Sequence, residues 1–234
     1  ARIAANRRAT FCYGARVPTP PVATASVPQP PWREAMLWML LLGAMFIHGY
    51  SWTNHWAASQ AQTYSLHGRW DEAIPFWAWT IWPYLALNLL YPLTFFLCPT
   101  RSALRRHALA IALVQAACML AFVCWPTGNV RVLPQPEGAS GLLFAQLRAF
   151  EAPFNMAPSL HAAVLVVVWQ TWRQSLQANA AAVRWLWHGA CGLILVSTLT
   201  TWQHDLLDVL AGLLVGALAL WITRCMPPTL GRTG

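Results

Sequence analysis

Apolar positions along the chain fall in long runs broken by short polar stretches. A membrane span needs about 20 mostly apolar residues. Six segments approach that length: Glu34–Trp52, Ile74–Leu97, Ala108–Trp125, Leu160–Trp172, Trp185–Thr201 and Leu206–Thr223. The fourth is short and is expected to extend by a turn at either end. Backbone groups at membrane depth must pair within their own segment, so these runs predict helices. The expected fold is therefore all-α, an integral membrane six-helix bundle. Pro83 and Pro92 predict a kink in the second span. Its Asn88 reads as a polar link between helices.

The polar stretches define the rest of the organisation. Residues 1–31 are rich in Pro, Ala, Thr and Arg without an apolar period, which predicts a flexible cytoplasmic tail. That tail lacks the apolar core of a signal peptide, so the first span is the expected anchor. The membrane domain is expected over residues 32–226, and residues 227–234 form a second short tail. The segment Pro126–Pro158 is the longest connection between spans and reads as a functional or flexible loop.

Composition agrees with burial in lipid: 57% of the residues are hydrophobic and 9% are charged. A soluble domain carries roughly a quarter charged residues. The net charge of +8 comes with no lysine, so all 15 cations are arginines. They are scattered among short loops, which argues against a nucleic-acid surface. The positive-inside rule explains them better. With a cytoplasmic N-terminus, Arg2, Arg7, Arg8, Arg16, Arg33, Arg101, Arg105, Arg106, Arg173, Arg184, Arg224 and Arg232 lie inside, whereas only Arg69, Arg131 and Arg148 lie outside. Tryptophans cluster near span ends as an interface belt. The six cysteines, Cys12, Cys98, Cys118, Cys124, Cys191 and Cys225, form no CxxC pair and read as packing residues.

Candidate chemistry sits where ionisable groups enter spans, since such groups are costly there. In "STLTTWQHDLLDVLAG", Ser197–Gly212, His204 and Asp208 stand four residues apart. On a helix they share a face, and a carboxylate on one ring nitrogen leaves the other as a base or nucleophile. His161 lies in the first turn of the fourth span, behind Pro158 and Ser159, which suit a helix start. In the six-span topology both imidazoles reach the outer face. The helix start there favours an anion, and Arg131, Arg148 and Arg69 are the cations able to hold a phosphate.

"PSLHAA" (Pro158–Ala163) followed by "HDLLD" (His204–Asp208) resembles the type 2 phosphatidic acid phosphatase superfamily. "FNMAPSLHAA" looks closer to its inositol phosphorylceramide synthase-like branch and to related bacterial membrane phosphatases. The resemblance runs from about Phe150 to Gly216. It implies that His204 attacks phosphorus, Asp208 orients it, His161 protonates the leaving group and Ser159 binds the phosphate. It implies no metal and no cofactor, and no spacing of His, Cys and Glu suggests a metal site. Three departures stand out: Leu160 replaces a frequent glycine, Thr198 replaces an arginine, and the lysine-bearing first motif is missing. The phosphate charge then falls to Arg131, Arg148 and Arg69.

The expected protein is a metal-independent lipid phosphatase with membrane lipids around it and a lipid phosphate as substrate. It is expected in a bacterial inner (plasma) membrane, with its site on the extracytoplasmic side. Transfer to an alcohol, as in a phospholipid headgroup transferase, is the alternative chemistry. Asp71, Glu72, Glu151 and Asp205 are the groups able to hold acceptor hydroxyls. A transporter or scaffold is the competing class, although no inverted repeat supports transport.

Overall fold

A computed structural model describes residues 30–150 and 152–226. Most of the two expected tails, together with Cys12 and Glu151, lies outside the described residues. The described chain is helical, and its only β pairing there is two isolated bridges, Tyr64 with Thr127 and Gly128 with Phe154. The helices are α1 (Trp32–Ala58), α2 (Arg69–Glu72), α3 (Ile81–Leu93), α4 (Arg101–Cys124), α5 (Gly138–Phe150), α6 (Leu160–Ser175), α7 (Ala181–Thr200) and α8 (Leu206–Cys225). Short 3-10 turns at Ala78–Thr80 and Thr94–Leu97 bracket α3.

Five helical segments are long and apolar enough to cross a membrane: α1, the Ala78–Leu97 segment containing α3, α4, α7 and α8. The remaining expected span, the fourth, is α6, which has 16 residues. At 1.5 Å per residue it is about 24 Å long, less than the roughly 30 Å of a hydrocarbon core. Its surroundings offset its shortness. It packs against α3, α4, α7 and α8, and Ala162, Ala163, Leu165, Val167 and Val168 are buried. The outer helices instead present Leu40, Leu89, Leu120, Leu186 and Leu214 outward. Apolar side chains thus cover both the interior and the exterior, as expected where lipid is the solvent.

The second expected span is not one helix. Pro92 lies inside α3, and the chain tightens into the 3-10 turn just after it, because proline removes a backbone donor and crowds the preceding turn. The connection Pro126–Pro158 is not one long loop either, since α5 occupies its middle. Leu143, Phe144 and Leu147 supply the apolar face of α5 and pack toward Ile81 and Tyr84 on α3. This helical spacing was present in the sequence but was masked by the surrounding prolines and glycines.

Two glycines on α8 fix its distance from α6. A Cβ at Gly212 would fall 2.3 Å from the Ser159 carbonyl oxygen, and one at Gly216 would fall 2.5 Å from that of Ala163. Small residues four apart let helix backbones approach closely. The starts of α6 and α8 are also joined directly, as the Ser159 amide donates to the Asp208 carbonyl at 2.9 Å. Gly212→Ala is expected to cost about 1–3 kcal/mol by overpacking. Gly192→Ala on α7, with open space at its Cβ, should be neutral or mildly stabilising. Thermal unfolding of the two variants in detergent checks the difference.

Candidate functional site

The loops at one end of the bundle build the site. The turn before α6 is held at several points. Thr127 Oγ1 accepts from the amides of Met156 and Ala157 at 3.0 and 2.9 Å. Asn54 clamps the backbone of Ala152 with two hydrogen bonds of 3.0 Å. Asn155, at φ 60°, donates to Tyr50 O and Thr53 Oγ1. Asparagine tolerates this left-handed conformation better than most residues.

His204 lies in the turn between α7 and α8, just ahead of the α8 start. It is buried, and its Nδ1 faces the Met156 carbonyl oxygen at 3.0 Å. A carbonyl accepts only, so Nδ1 carries the proton and Nε2 keeps the lone pair. Burial pushes the imidazole down to about 4, partly opposed by that carbonyl, so the ring is neutral at pH 7. The expected Asp208 contact is replaced. Asp208 Oδ2 instead accepts from the Asp205 amide at 2.8 Å, closing the α8 start, while Oδ1 is buried without a partner. The reason is that His204 precedes the helix, so the four-residue spacing does not put both side chains on one helical face.

Ser159 is fully buried, and its Oγ accepts from the Ala162 amide at 3.2 Å as the α6 N-cap. That satisfies a helix-start donor rather than presenting the hydroxyl to a ligand. His161 follows in the first turn. Its ring stacks on Tyr84 at 4.2 Å and 8°, and its Nε2 is buried with no partner. Such an orphan is uncommon in a folded interior and marks a place for a proton donor or acceptor. His161 and His204 lie within electrostatic range of each other.

The two rings nevertheless face different cavities. One of about 20 Å³ is lined by His204, Tyr84, Asn129, Leu133, Phe154 and Gln203, among others. The other, of about 60 Å³, is mostly apolar and borders His161, Asn88, Leu160 and Val164. Tyr84 stands between them, stacked on one ring and lining the cavity of the other.

Arg131, Arg148 and Arg69, expected to hold the phosphate, each lie against other groups. Arg131 is buried in a network of its own. Its Nη2 donates to Asp205 Oδ1 at 2.9 Å and to the Asp71 carbonyl at 3.1 Å, and lies 3.7 Å from Asp71 Oδ1. Its Nε donates to His67 Nδ1 at 3.3 Å, and the guanidinium covers the Trp202 ring at 5.1 Å. Only Nη1 is left without a partner. Arg148 donates to the Pro134 carbonyl at 3.1 Å and lies over Phe144. Arg69 is exposed and lies over Trp70. None of the three lines the His204 cavity. Asp71 and Asp205, read from sequence as possible acceptor-binding groups, are committed to this network.

His67, Asp71 and Asp205 offer ligand atoms within 4.8 Å of one another, a grouping that sequence spacing did not reveal. Arg131 already places a cation beside both carboxylates. Among the cysteines, Cys98, Cys118 and Cys191 are buried, Cys124 and Cys225 are exposed, and all five are free.

Against known proteins, the chain matches no family model, no curated sequence and no solved structure.

Two outcomes follow from this geometry. Removing one partner of a buried ion pair strands the other's charge and costs about 3–5 kcal/mol. Arg131→Met should therefore lower the unfolding temperature sharply, whereas Arg69→Ala should leave it unchanged. The second outcome concerns pH. The unfolded His204 takes up a proton near 6.5, but the folded one does so only near 4. Its contribution to stability is intact above about pH 6.5 and is lost as pH falls toward 4. Unfolding curves between those values should be steeper in pH for the wild type than for His204→Gln.

Proposed function

We propose that this protein is a metal-independent membrane enzyme that transfers the phosphoryl group of a lipid phosphate, with water as the preferred acceptor. The reading takes α6 as a sixth, lipid-shielded span and the His204 end as extracytoplasmic, in a bacterial plasma membrane. The observation that carries it is the Met156 carbonyl on His204 Nδ1, with the orphan Nε2 of His161 nearby. The first fixes a neutral imidazole with its lone pair on Nε2, which is what a nitrogen nucleophile needs. The second supplies a proton-transfer group with no competing partner.

In the proposed cycle, His204 Nε2 forms a bond to phosphorus as the lipid oxygen leaves. The leaving oxygen takes a proton from His161. Water then attacks phosphorus, gives a proton to His161 and releases phosphate, which frees His204. The Met156 carbonyl supports the positive charge that builds on the His204 ring. Asp208 acts on position, by closing the α8 start just after His204. Tyr84 must move for the two cavities to join, because neither holds a phosphate headgroup as it stands. The charge of the phosphate is met by the α6 start and by Arg148 or Arg69, because Arg131 is already balanced by Asp71 and Asp205.

The test uses right-side-out membrane vesicles and a phosphorus-labelled lipid phosphate, with and without a candidate alcohol. Free phosphate should be the main product, and His204→Ala should lose it by at least 100-fold. His161→Ala should spare substrates with a good leaving group. Asp208→Asn retains an oxygen for the Asp205 amide and should keep more activity than Asp208→Ala. Release only after vesicle rupture would reverse the orientation. Transfer into a new lipid with little release would make the protein a headgroup transferase. Normal turnover in all three alanine variants would end the enzymatic assignment and favour a transporter or scaffold.

A further inference from the structure

The opposite end of the bundle holds a cavity of about 560 Å³. The last turns of α6 and α8, the first turns of α4 and the 3-10 turn at Thr94–Leu97 surround it. Its wall has two characters. Arg106, Arg224, Gln174 and Ser175 are polar, whereas Leu97 and Leu220 are apolar. His107 also lines it, but both ring nitrogens meet threonine hydroxyls, Thr94 at 2.8 Å and Thr171 at 3.1 Å. That ring is a built part of the wall.

Among the described residues, positive charge exceeds negative charge at this end. Among the described residues, Glu34 is the only carboxylate here, and it pairs with Arg105 at 2.7 Å and Arg101 at 3.7 Å. No ion pair among the described residues involves Arg106 or Arg224. Two unpaired guanidiniums therefore share one chamber with hydrogen-bonding amide and hydroxyl groups. The helix ends here act in opposite directions: α6 and α8 finish with carbonyl ends that disfavour an anion, whereas α4 begins here and its N-terminal turn favours one. The two arginines are the cationic groups on the cavity wall, and a phosphate suits their forked donors. The chamber falls in the size range of small-molecule sites.

We propose that this cavity binds the phosphate-bearing headgroup of an anionic amphiphile. Arg106 and Arg224 take the phosphate oxygens, Gln174 and Ser175 bond the neighbouring polar groups, and the apolar part lies along Leu97 and Leu220. The same phosphate chemistry could arrive on a bilayer lipid or on a soluble phosphate ester, and the experiment separates them.

The full chain in non-ionic detergent is titrated by calorimetry with dihexanoyl phosphatidylglycerol and, separately, with glycerol 3-phosphate. Phosphatidylglycerol should bind, and the double substitution Arg106→Ala with Arg224→Ala should weaken it at least tenfold. Arg184→Ala, at the same end but bonded to the carbonyls of Gln177 and Asn179, should leave binding unchanged. Ser175→Glu, an exposed position at the mouth, should weaken it comparably, which guards against a double variant that fails to fold. Binding of the lipid alone identifies a membrane ligand. Equal, arginine-dependent binding of glycerol 3-phosphate identifies a soluble one. No binding of either probe, no loss in the arginine and glutamate variants, or an equal loss in Arg184→Ala would overturn the proposal.

Discussion

One buried carboxylate ties the site end together. Asp71 Oδ1 accepts from the Leu206 amide at 2.7 Å, and Oδ2 accepts from the Gly68 amide at 2.9 Å. The Asp71 side chain thus closes the α8 start from a segment 135 residues away. Arg131 lies against the same carboxylate and reaches Asp205, so a third loop joins the other two. In a low-dielectric setting such a network is tolerable only when its donors and acceptors are nearly all matched. The remaining mismatches, Arg131 Nη1 and Asp208 Oδ1, lie within it or beside it.

Catalytic geometry on the proposed reading depends on that network at one remove. His204 stands between the end of α7 and the α8 start. Trp202, at φ 57°, turns the chain there, with its indole donating to Ile74 O at 3.0 Å and its carbonyl accepting from Asn129 at 2.7 Å. A tryptophan in left-handed backbone is strained and persists only where its surroundings hold it. Those surroundings include Arg131 over its ring. The guanidinium that sequence placed on a phosphate therefore acts by fixing the turn that carries His204.

The legible part of the fold was the part set locally. Runs of apolar residues located α1, α4, α7 and α8, and Pro158 with Ser159 marked the start of α6. The hydrogen bonds that decide roles span long separations, such as 64 residues between Arg131 and His67 and 48 between His204 and Met156. No spacing rule encodes them. The HxxxD pattern misled because it assumes a continuous helix, whereas the helix begins between its two members. The α5 helix was hidden for another reason, because composition around it resembles a loop. Gly212 and Gly216 stand four apart on α8, but that spacing does not name the helix whose backbone they meet.

The short α6 links the two ends of the molecule. It is surrounded by longer helical segments, so a hollow forms beyond each of its ends. At the Leu160 end the hollow is filled by chain: residues 152–159 fold back under Thr127 and Asn54, leaving only the cavities of about 20 and 60 Å³. At the Ser175 end no loop among the described residues folds in comparably, and the hollow remains as the cavity of about 560 Å³. The charge follows the same division. Asp71, Asp205 and Asp208 are buried at the filled end, where amides and Arg131 satisfy most of their oxygens. At the open end, arginines outnumber the single carboxylate of Glu34 among the described residues. A helix too short to span alone thus leaves one end packed around fixed protein dipoles and the other open to a ligand that brings its own negative charge.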